Sequence, residues 1–222
     1  MRSGFMCKPL FAAALVFGLA MTTALDAKAY RRGLTSSLGG ATLGRGHVIF
    51  VAAGYPRTTI GWGVALGSRF DLGLRADIYY GSPLAFEPSE IGGGGGLEGR
   101  VALVRGRVSA ALVFGFAATV FKEGGGVMTL LDLGSPSAEL SLRLSDRIAF
   151  HGAVRGVLGY VTRPSDLVGG FEARLGATFV LYSALALFLR LSSGATIWSG
   201  QKPATPRLEG LVGLEYRLRH RQ

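Results

Sequence analysis

The side chains that could do chemistry in this chain are arginines, carboxylates and three histidines, because the sequence has one cysteine and no asparagine. Acids and bases recur two residues apart inside apolar segments, as at Arg75 and Asp77 or at Glu98 and Arg100. The lone Cys7 excludes a disulfide framework and a cysteine-based zinc site. No two histidines lie close together in the sequence, so we expect no metal and no cofactor.

Catalysis by a serine–histidine pair needs the nucleophile to lie within hydrogen-bond reach of the base. His151 falls on the same side of the alternating segments as Ser109 and Ser141, so these residues could meet by chance. Asp77 with Tyr79 is the best candidate near the opposite end of the segments, but no histidine falls at that depth. We therefore predict no catalytic residues and no enzymatic activity.

The balance of charge is basic, with 24 Lys and Arg against 14 Asp and Glu, a formal net charge of +10. A basic balance can attract nucleic acid. Here the charges are spread along every segment, and we expect no nucleic acid partner. Gly92 to Gly96 lacks the following Lys-Ser/Thr of a phosphate loop, so the five glycines predict a flexible loop tip.

The elements that must position these groups are strands, because apolar residues recur with a period of two. Leu72, Leu74 and Ile78 share one face of a strand, whereas Arg75 and Asp77 share the other. The pattern recurs along the chain and gives nine such strands. A tenth, less regular strand is expected at about residues 47–53, for which residues 35–43 could serve instead.

The connections between these strands alternate between short and long, which predicts an up-and-down meander. Gly, Pro, Ser and Asp dominate them, as turn geometry requires. The longer connections are expected at residues 81–96, 122 to about 136, 162–169 and 194–206. The sequence therefore predicts an all-β, antiparallel, up-and-down transmembrane β-barrel of about ten strands, with eight as the alternative.

The first 29 residues have the three parts of a secretory signal peptide. Arg2 and Lys8 are basic, residues 10–20 are apolar, and residues 27–29 form an A-x-A cleavage site. The expected division of the chain is a signal peptide at 1–29, an N-terminal periplasmic segment or start of the first strand at 30–46, a barrel domain at 47–219 and a tail at 220–222.

The apolar faces could meet either lipid or the core of a soluble sandwich or lipocalin-like binding protein. The other face is rich in Gly and Ala, and its charges are Arg and Glu rather than Lys. The strands are about as long as a tilted membrane strand, and aromatic residues cluster towards strand ends. These features favour lipid, with the secreted soluble protein kept as an alternative.

With its signal peptide and hairpins such as residues 60–80, the chain resembles the small outer-membrane β-barrel proteins of Gram-negative bacteria. The resemblance covers about residues 48–218. It implies a location in the cell outer membrane, with outer-membrane lipid and the insertion machinery as partners. We expect a monomer. Members of this class usually end on an aromatic residue, whereas here Tyr216 and Leu218 are followed by Arg-His-Arg-Gln, without a Phe, Tyr or Trp.

Acids and bases on the inward face are nearly balanced, and together with one histidine they predict a charge ladder that fills the lumen. Its expected members are Arg75, Asp77, Glu98, Arg100, Glu139, Arg143, His151, Arg155, Glu172, Arg174, Arg190, Glu209, Glu215 and Arg217. Arg suits such pairing because its planar fork meets a carboxylate with two hydrogen bonds. We therefore predict a mostly closed barrel with a structural or surface-presenting role. The alternative is a narrow diffusion channel with weak anion preference.

A second group of basic residues is expected in or near the outward loops. Its members are Arg57, Lys122, Arg163, Lys202 and Arg207. They could contact phosphates of the outer-leaflet lipid, since Arg binds phosphate well. The alternative is a scatter of solvated loop charges.

Overall fold

The computed structural model describes residues 39–85, 88–123, 126–163, 165–182, 184–199 and 203–218. The described residues form ten antiparallel strands: β1 (His47–Tyr55), β2 (Arg57–Ala65), β3 (Phe70–Gly81), β4 (Pro88–Val104), β5 (Val108–Glu123), β6 (Gly126–Arg143), β7 (Ile148–Thr162), β8 (Ser165–Val180), β9 (Leu185–Trp198) and β10 (Thr205–Leu218). Each strand pairs with its neighbours in sequence, and β1 pairs with β10 to close the barrel. The predicted up-and-down barrel of ten strands is confirmed.

The apolar faces of the strands point outward. Leu175, Leu191 and Val154 are 70%, 65% and 62% exposed, whereas Glu172 and Asp77, on inward faces, are buried. A water-soluble barrel would have the reverse arrangement. The prediction that the apolar faces point outward and the charged faces point inward is therefore confirmed. Among the described residues, no helix is long and apolar enough to span a membrane.

The strands extend further into the predicted long connections than the sequence indicated. β4 has 17 residues and β6 has 18. Gly92–Gly96 lies inside β4, paired residue by residue with β3 for all five glycines and with β5 from Gly93 onward, so the prediction of a flexible loop tip is wrong. A Cβ on Gly94 would lie 2.7 Å from the carbonyl oxygen of Ala118, and glycine fits a strand where backbone approaches this closely.

The first half of β6 was missed because a bulge interrupts its alternation. Leu133 pairs with Phe116 and Ser135 pairs with Gly115, which leaves Gly134 as the extra residue. Gly134 has a φ of +95°, a conformation that glycine adopts without steric cost. Before the bulge the even-numbered residues of β6 point inward, and after it the odd-numbered residues do. The period-two pattern therefore breaks at the point where a loop was predicted.

The two ends of the barrel differ. At the turn end, residues 66–69, 105–107 and 144–147 connect successive strands, and residues 181, 182 and 184 lie between β8 and β9. The N-terminus of β1 and the C-terminus of β10 lie at the same end. The opposite end is here called the loop end. The expected signal peptide and C-terminal tail lie outside the described residues.

Residues 39–43, here called the N-terminal plug, are buried inside the barrel at the turn end. The Leu43 amide donates to Asp71 Oδ2 at 2.6 Å, and the Thr42 hydroxyl donates to the Ser68 carbonyl at 3.2 Å. The segment 30–46 was expected to be periplasmic or to begin the first strand. Its described part instead enters the lumen.

The loop end is covered on the side of β5, β7 and β8. Leu84, in the connection between β3 and β4, is 2% exposed and packs in one cluster with Phe121, Val161 and Val168. These side chains face inward from β5, β7 and β8. Burial of apolar side chains against one another therefore holds this connection over the mouth of the barrel.

Candidate functional site: the charged lumen

Arg57 is the most connected charge in the lumen. Its guanidinium lies 3.3 Å from Asp77 and 3.1 Å from Glu209, and it donates to the Tyr79 hydroxyl at 2.9 Å. Arg57 is only 5% exposed, so the prediction that it contacts outer-leaflet phosphate is wrong. The reason is the length of its strands, because β1 and β2 have nine residues each while their neighbours rise further towards the loop end.

Two further arginines extend these contacts into a continuous network. Arg75 Nε lies 3.2 Å from Asp77, and Arg75 donates to Glu98 at 2.7 Å. Arg190 donates to Glu209. The central network is thus composed of Arg57, Arg75, Asp77, Glu98, Arg190 and Glu209. It joins β2, β3, β4, β9 and β10 across the lumen.

Other charge pairs lie on β4 and on β6 to β8. Arg100 lies 3.2 Å from Glu139, and Arg174 lies 2.5 Å from Glu172. Arg155 pairs with Asp132, a carboxylate that the sequence analysis missed because it precedes the bulge in β6.

Arg207 was expected in an outward loop, and the structure corrects this as well. It lies within β10 on the inward side, with its guanidinium 4.0 Å from Glu172. The loop before β10 ends at residue 204, two residues earlier than predicted.

The remaining ladder members lie near the turn end. Glu215 is buried, and Arg143 and Arg217 are half-buried. Of the other residues expected to contact phosphate, Lys122 and Arg163 are exposed at the loop end, and Lys202 lies outside the described residues.

His151 lies in a chain of hydrogen bonds with the plug. Its Nδ1 is 2.8 Å from Ser141 Oγ, and its Nε2 is 2.8 Å from Thr178 Oγ1. Ser141 Oγ accepts from the Gly40 amide at 2.9 Å. The serine hydroxyl is therefore free to donate to Nδ1, which leaves the proton on Nε2 to be donated to Thr178.

The Ser141–His151 encounter that the sequence suggested therefore exists, and the two residues are directly opposite in the β6–β7 pairing. A Cβ placed on Gly39 would lie 2.3 Å from His151 Nδ1 and 2.4 Å from Ser141 Oγ. The plug thus occupies the space in which a substrate would approach the serine. Within the described part of the chain, no group of three His, Cys, Asp or Glu is placed to hold a metal ion.

The charged side chains divide the space inside the barrel into small cavities. Cavities of about 80, 30 and 50 Å³ adjoin the plug side of the central network, the His151 region and the loop end, respectively. Arg57 and Arg75 line both the first and the third. Each cavity has room for water molecules, and side chains separate one from the next.

No protein-family model and no curated protein matches this chain. Solved structures of similar shape include the outer membrane protease OmpT from Escherichia coli, with 7% identity, 78% of this chain and 96% of that chain covered, and a TM-score of 0.49. They also include the KdgM porin, with 8% identity, 78% and 98% coverage and a TM-score of 0.42. The outer membrane channel DcaP of Acinetobacter baumannii has 10% identity, 82% and 56% coverage and a TM-score of 0.36. At these sequence identities and TM-scores, the structural similarity supports no assignment of activity.

Proposed function

We propose that this chain is an integral outer-membrane β-barrel with a closed lumen and a structural or surface-presenting role, without catalysis. The observation that carries the proposal is the central network, in which Arg57 pairs with carboxylates from two other strands. A charge buried in a poorly hydrated lumen is costly unless it is paired. An interlocked set of pairs therefore favours a filled lumen over an open one.

The outward apolar surface supports the membrane location. Soluble monomers rarely expose apolar patches larger than a few hundred Å², whereas here large apolar side chains are exposed on all ten described strands. A barrel also satisfies every backbone group within the membrane, because closure leaves no strand edge. Together with the expected signal peptide, these features favour the outer membrane, with the turn end facing the periplasm.

The partners that fit this surface are lipids, and the chain is proposed to act as a monomer after assembly by the insertion machinery. Lys122 and Arg163, exposed at the loop end, remain candidates for contact with lipid phosphate. The two ends of the lumen are covered separately, by the N-terminal plug and by Leu84 and its apolar neighbours. Closure therefore does not depend on the charge network alone.

A narrow channel is the second candidate, because the three cavities share walls made only of side chains. Arg174 lines the second and third cavities, and Arg190 lines the first and second. Rotation of a few arginine side chains would join these cavities. Arginines only slightly outnumber carboxylates among the lining residues, so such a channel would have a weak preference for anions.

Planar-bilayer recording of the purified mature protein separates the two candidates. The closed barrel is expected to give no steady stepwise currents, because side chains and both covers block the lumen. Regular current steps that scale with the number of inserted molecules would contradict closure and support the channel.

Sodium carbonate extraction of membranes from expressing cells tests the location. We expect the protein to stay in the membrane pellet and to fractionate with the outer membrane. Release into the soluble fraction would contradict membrane integration, whichever way the conductance experiment turns out.

A further inference from the structure

The largest of the three cavities has an apolar wall, which is unusual in a polar lumen. Phe50, Phe188 and Leu211 line it from β1, β9 and β10. Ala52, Phe188 and Leu211 form a buried cluster against which Phe50 packs.

The two aromatic rings of this wall line the cavity instead of filling it. A Cβ on Gly61 would lie 2.1 Å from the Phe50 ring, and one on Gly213 would lie 2.4 Å from the Phe188 ring. The rings therefore lie against glycines of the neighbouring strands. They meet edge to face with centroids 6.3 Å apart, and a cavity of about 80 Å³ remains beside them.

The same cavity is also lined by hydrogen-bond donors from Arg57, Arg75 and Arg190. Asp77 and Glu209, with which these arginines pair, do not line it. Nε of Arg57 and Nε of Arg190 are buried and have no hydrogen-bond partner among the described residues. Guanidinium groups only donate, so the free positions call for an acceptor.

Two carboxylates also line the cavity. Glu98 accepts from Arg75 at 2.7 Å, and Asp71 accepts from the Leu43 amide through Oδ2 at 2.6 Å, whereas Asp71 Oδ1 is buried without a hydrogen-bond partner within the described part of the chain. Asp71 lies near the start of β3 at the turn end and Arg57 at the start of β2 at the loop end, so this acid lies towards the other end of the cavity from the Arg57 guanidinium. An apolar pocket with a few convergent polar groups is the usual form of a small-molecule site.

We propose that this cavity binds a small apolar carboxylate, of about the size of a single aromatic ring. Its carboxylate accepts hydrogen bonds from Arg57 and Arg190, and its apolar part lies on Phe50, Phe188 and Leu211. The inference goes beyond the proposed function, since a closed barrel can hold a ligand.

The test is calorimetric titration of the mature protein in lipid nanodiscs with benzoate, with acetate and benzyl alcohol as matched probes. Benzoate is expected to bind at least tenfold more tightly than acetate, which lacks the ring, and than benzyl alcohol, which lacks the charge. Empty nanodiscs correct for partitioning into lipid. Equal binding of all three probes, or no binding of benzoate, would overturn the proposal.

Two variants locate the site. Arg190→Met should weaken benzoate binding about tenfold through loss of a charge-assisted hydrogen bond, and Glu209 keeps Arg57 as its partner. Arg207→Met removes an inward arginine that does not line this cavity, and it should leave binding unchanged.

Phe188→Leu is the second variant, with Phe121→Leu, outside the cavity, as its control. Heat-modifiable mobility on gels shows which variants are folded. Unchanged affinity in folded Arg190→Met and Phe188→Leu would place benzoate elsewhere and refute the site. The conductance result is independent of this measurement, so the two proposals can fail separately.

Discussion

At the scale of single residues, Arg57 shows how depth in the barrel decides the role of a charge. The same side chain would be a phosphate contact in a loop, but it lies in the lumen between Asp77, Glu209 and the ring of Tyr79. Removing one partner of a buried pair usually costs more than the pair contributes, because the other charge stays buried.

Arg57→Met should lower the free energy of unfolding by about 3 kcal/mol, the low end for a broken buried pair, because Asp77 keeps Arg75 and Glu209 keeps Arg190. The measurement is urea unfolding in liposomes followed by tryptophan fluorescence. Arg207→Met is the control, with a contact at only 4.0 Å, and should cost less than about 1 kcal/mol. Equal losses of unfolding free energy in the two variants would show that Arg57 in the central network contributes no more to stability than Arg207 does.

At the scale of elements, the N-terminal plug depends on two glycines that lie against the barrel wall. Gly39 has a φ of +87°, and a side chain there would meet His151 and Ser141. Gly40 packs as closely, since a Cβ would lie 2.5 Å from the Glu139 carbonyl oxygen. At these two positions, the plug therefore fits against the wall only without a side chain.

Gly39→Ala should expel the plug from the lumen, because the added methyl group clashes with His151 and the backbone is strained at positive φ. The measurement is maleimide labelling of Thr42→Cys in a Cys7→Ala background, since Thr42 is 0% exposed. Labelling should be slow in the Cys7→Ala, Thr42→Cys protein, here called the parent, and at least tenfold faster when Gly39→Ala is added.

Gly67→Ala is the matched control, because a Cβ at Gly67 meets nothing within 4 Å. It should label as slowly as the parent. Fast labelling of the parent itself would mean that residues 39–43 do not stay in the lumen.

At the scale of the whole molecule, the outward apolar belt sets the solvent in which the barrel is stable. Leu175 lies near the middle of this belt and pairs with Gly152 and Leu191 on the adjacent strands. In lipid, the cost of a charge on the outer face depends on its depth, whereas on a soluble protein it would not.

Leu175→Arg should therefore destabilise the barrel in liposomes by about 2–4 kcal/mol, and Leu167→Arg, on the same face of β8 but close to the loop end, by about 0–1 kcal/mol. Both wild-type side chains are exposed, 70% and 52%. Urea unfolding measures the difference. Equal costs at the two positions would contradict a membrane-embedded belt.

The sequence by itself determined the strands, their order and the side on which the charges lie. Alternation within a strand, as at Leu74 and Arg75, is a local property, because successive side chains point to opposite faces. Nine segments with this pattern, a tenth that is less regular, and alternating connections leave an up-and-down meander as the arrangement that matches them. The same alternation predicted that Arg75, Arg174 and Arg190 point into the lumen.

Only the tertiary structure decided the roles of Arg57, Arg207, Asp132 and residues 39–43. How deep a residue lies depends on the lengths of strands that are distant in sequence, which brought Arg57 and Arg207 inside. The bulge at Gly134 changed parity where pairing with β5 required it. The plug has no period of its own and is held by Ser141 and Asp71 from β6 and β3. Such contacts exist only after the barrel closes, so no local pattern in the sequence can encode them.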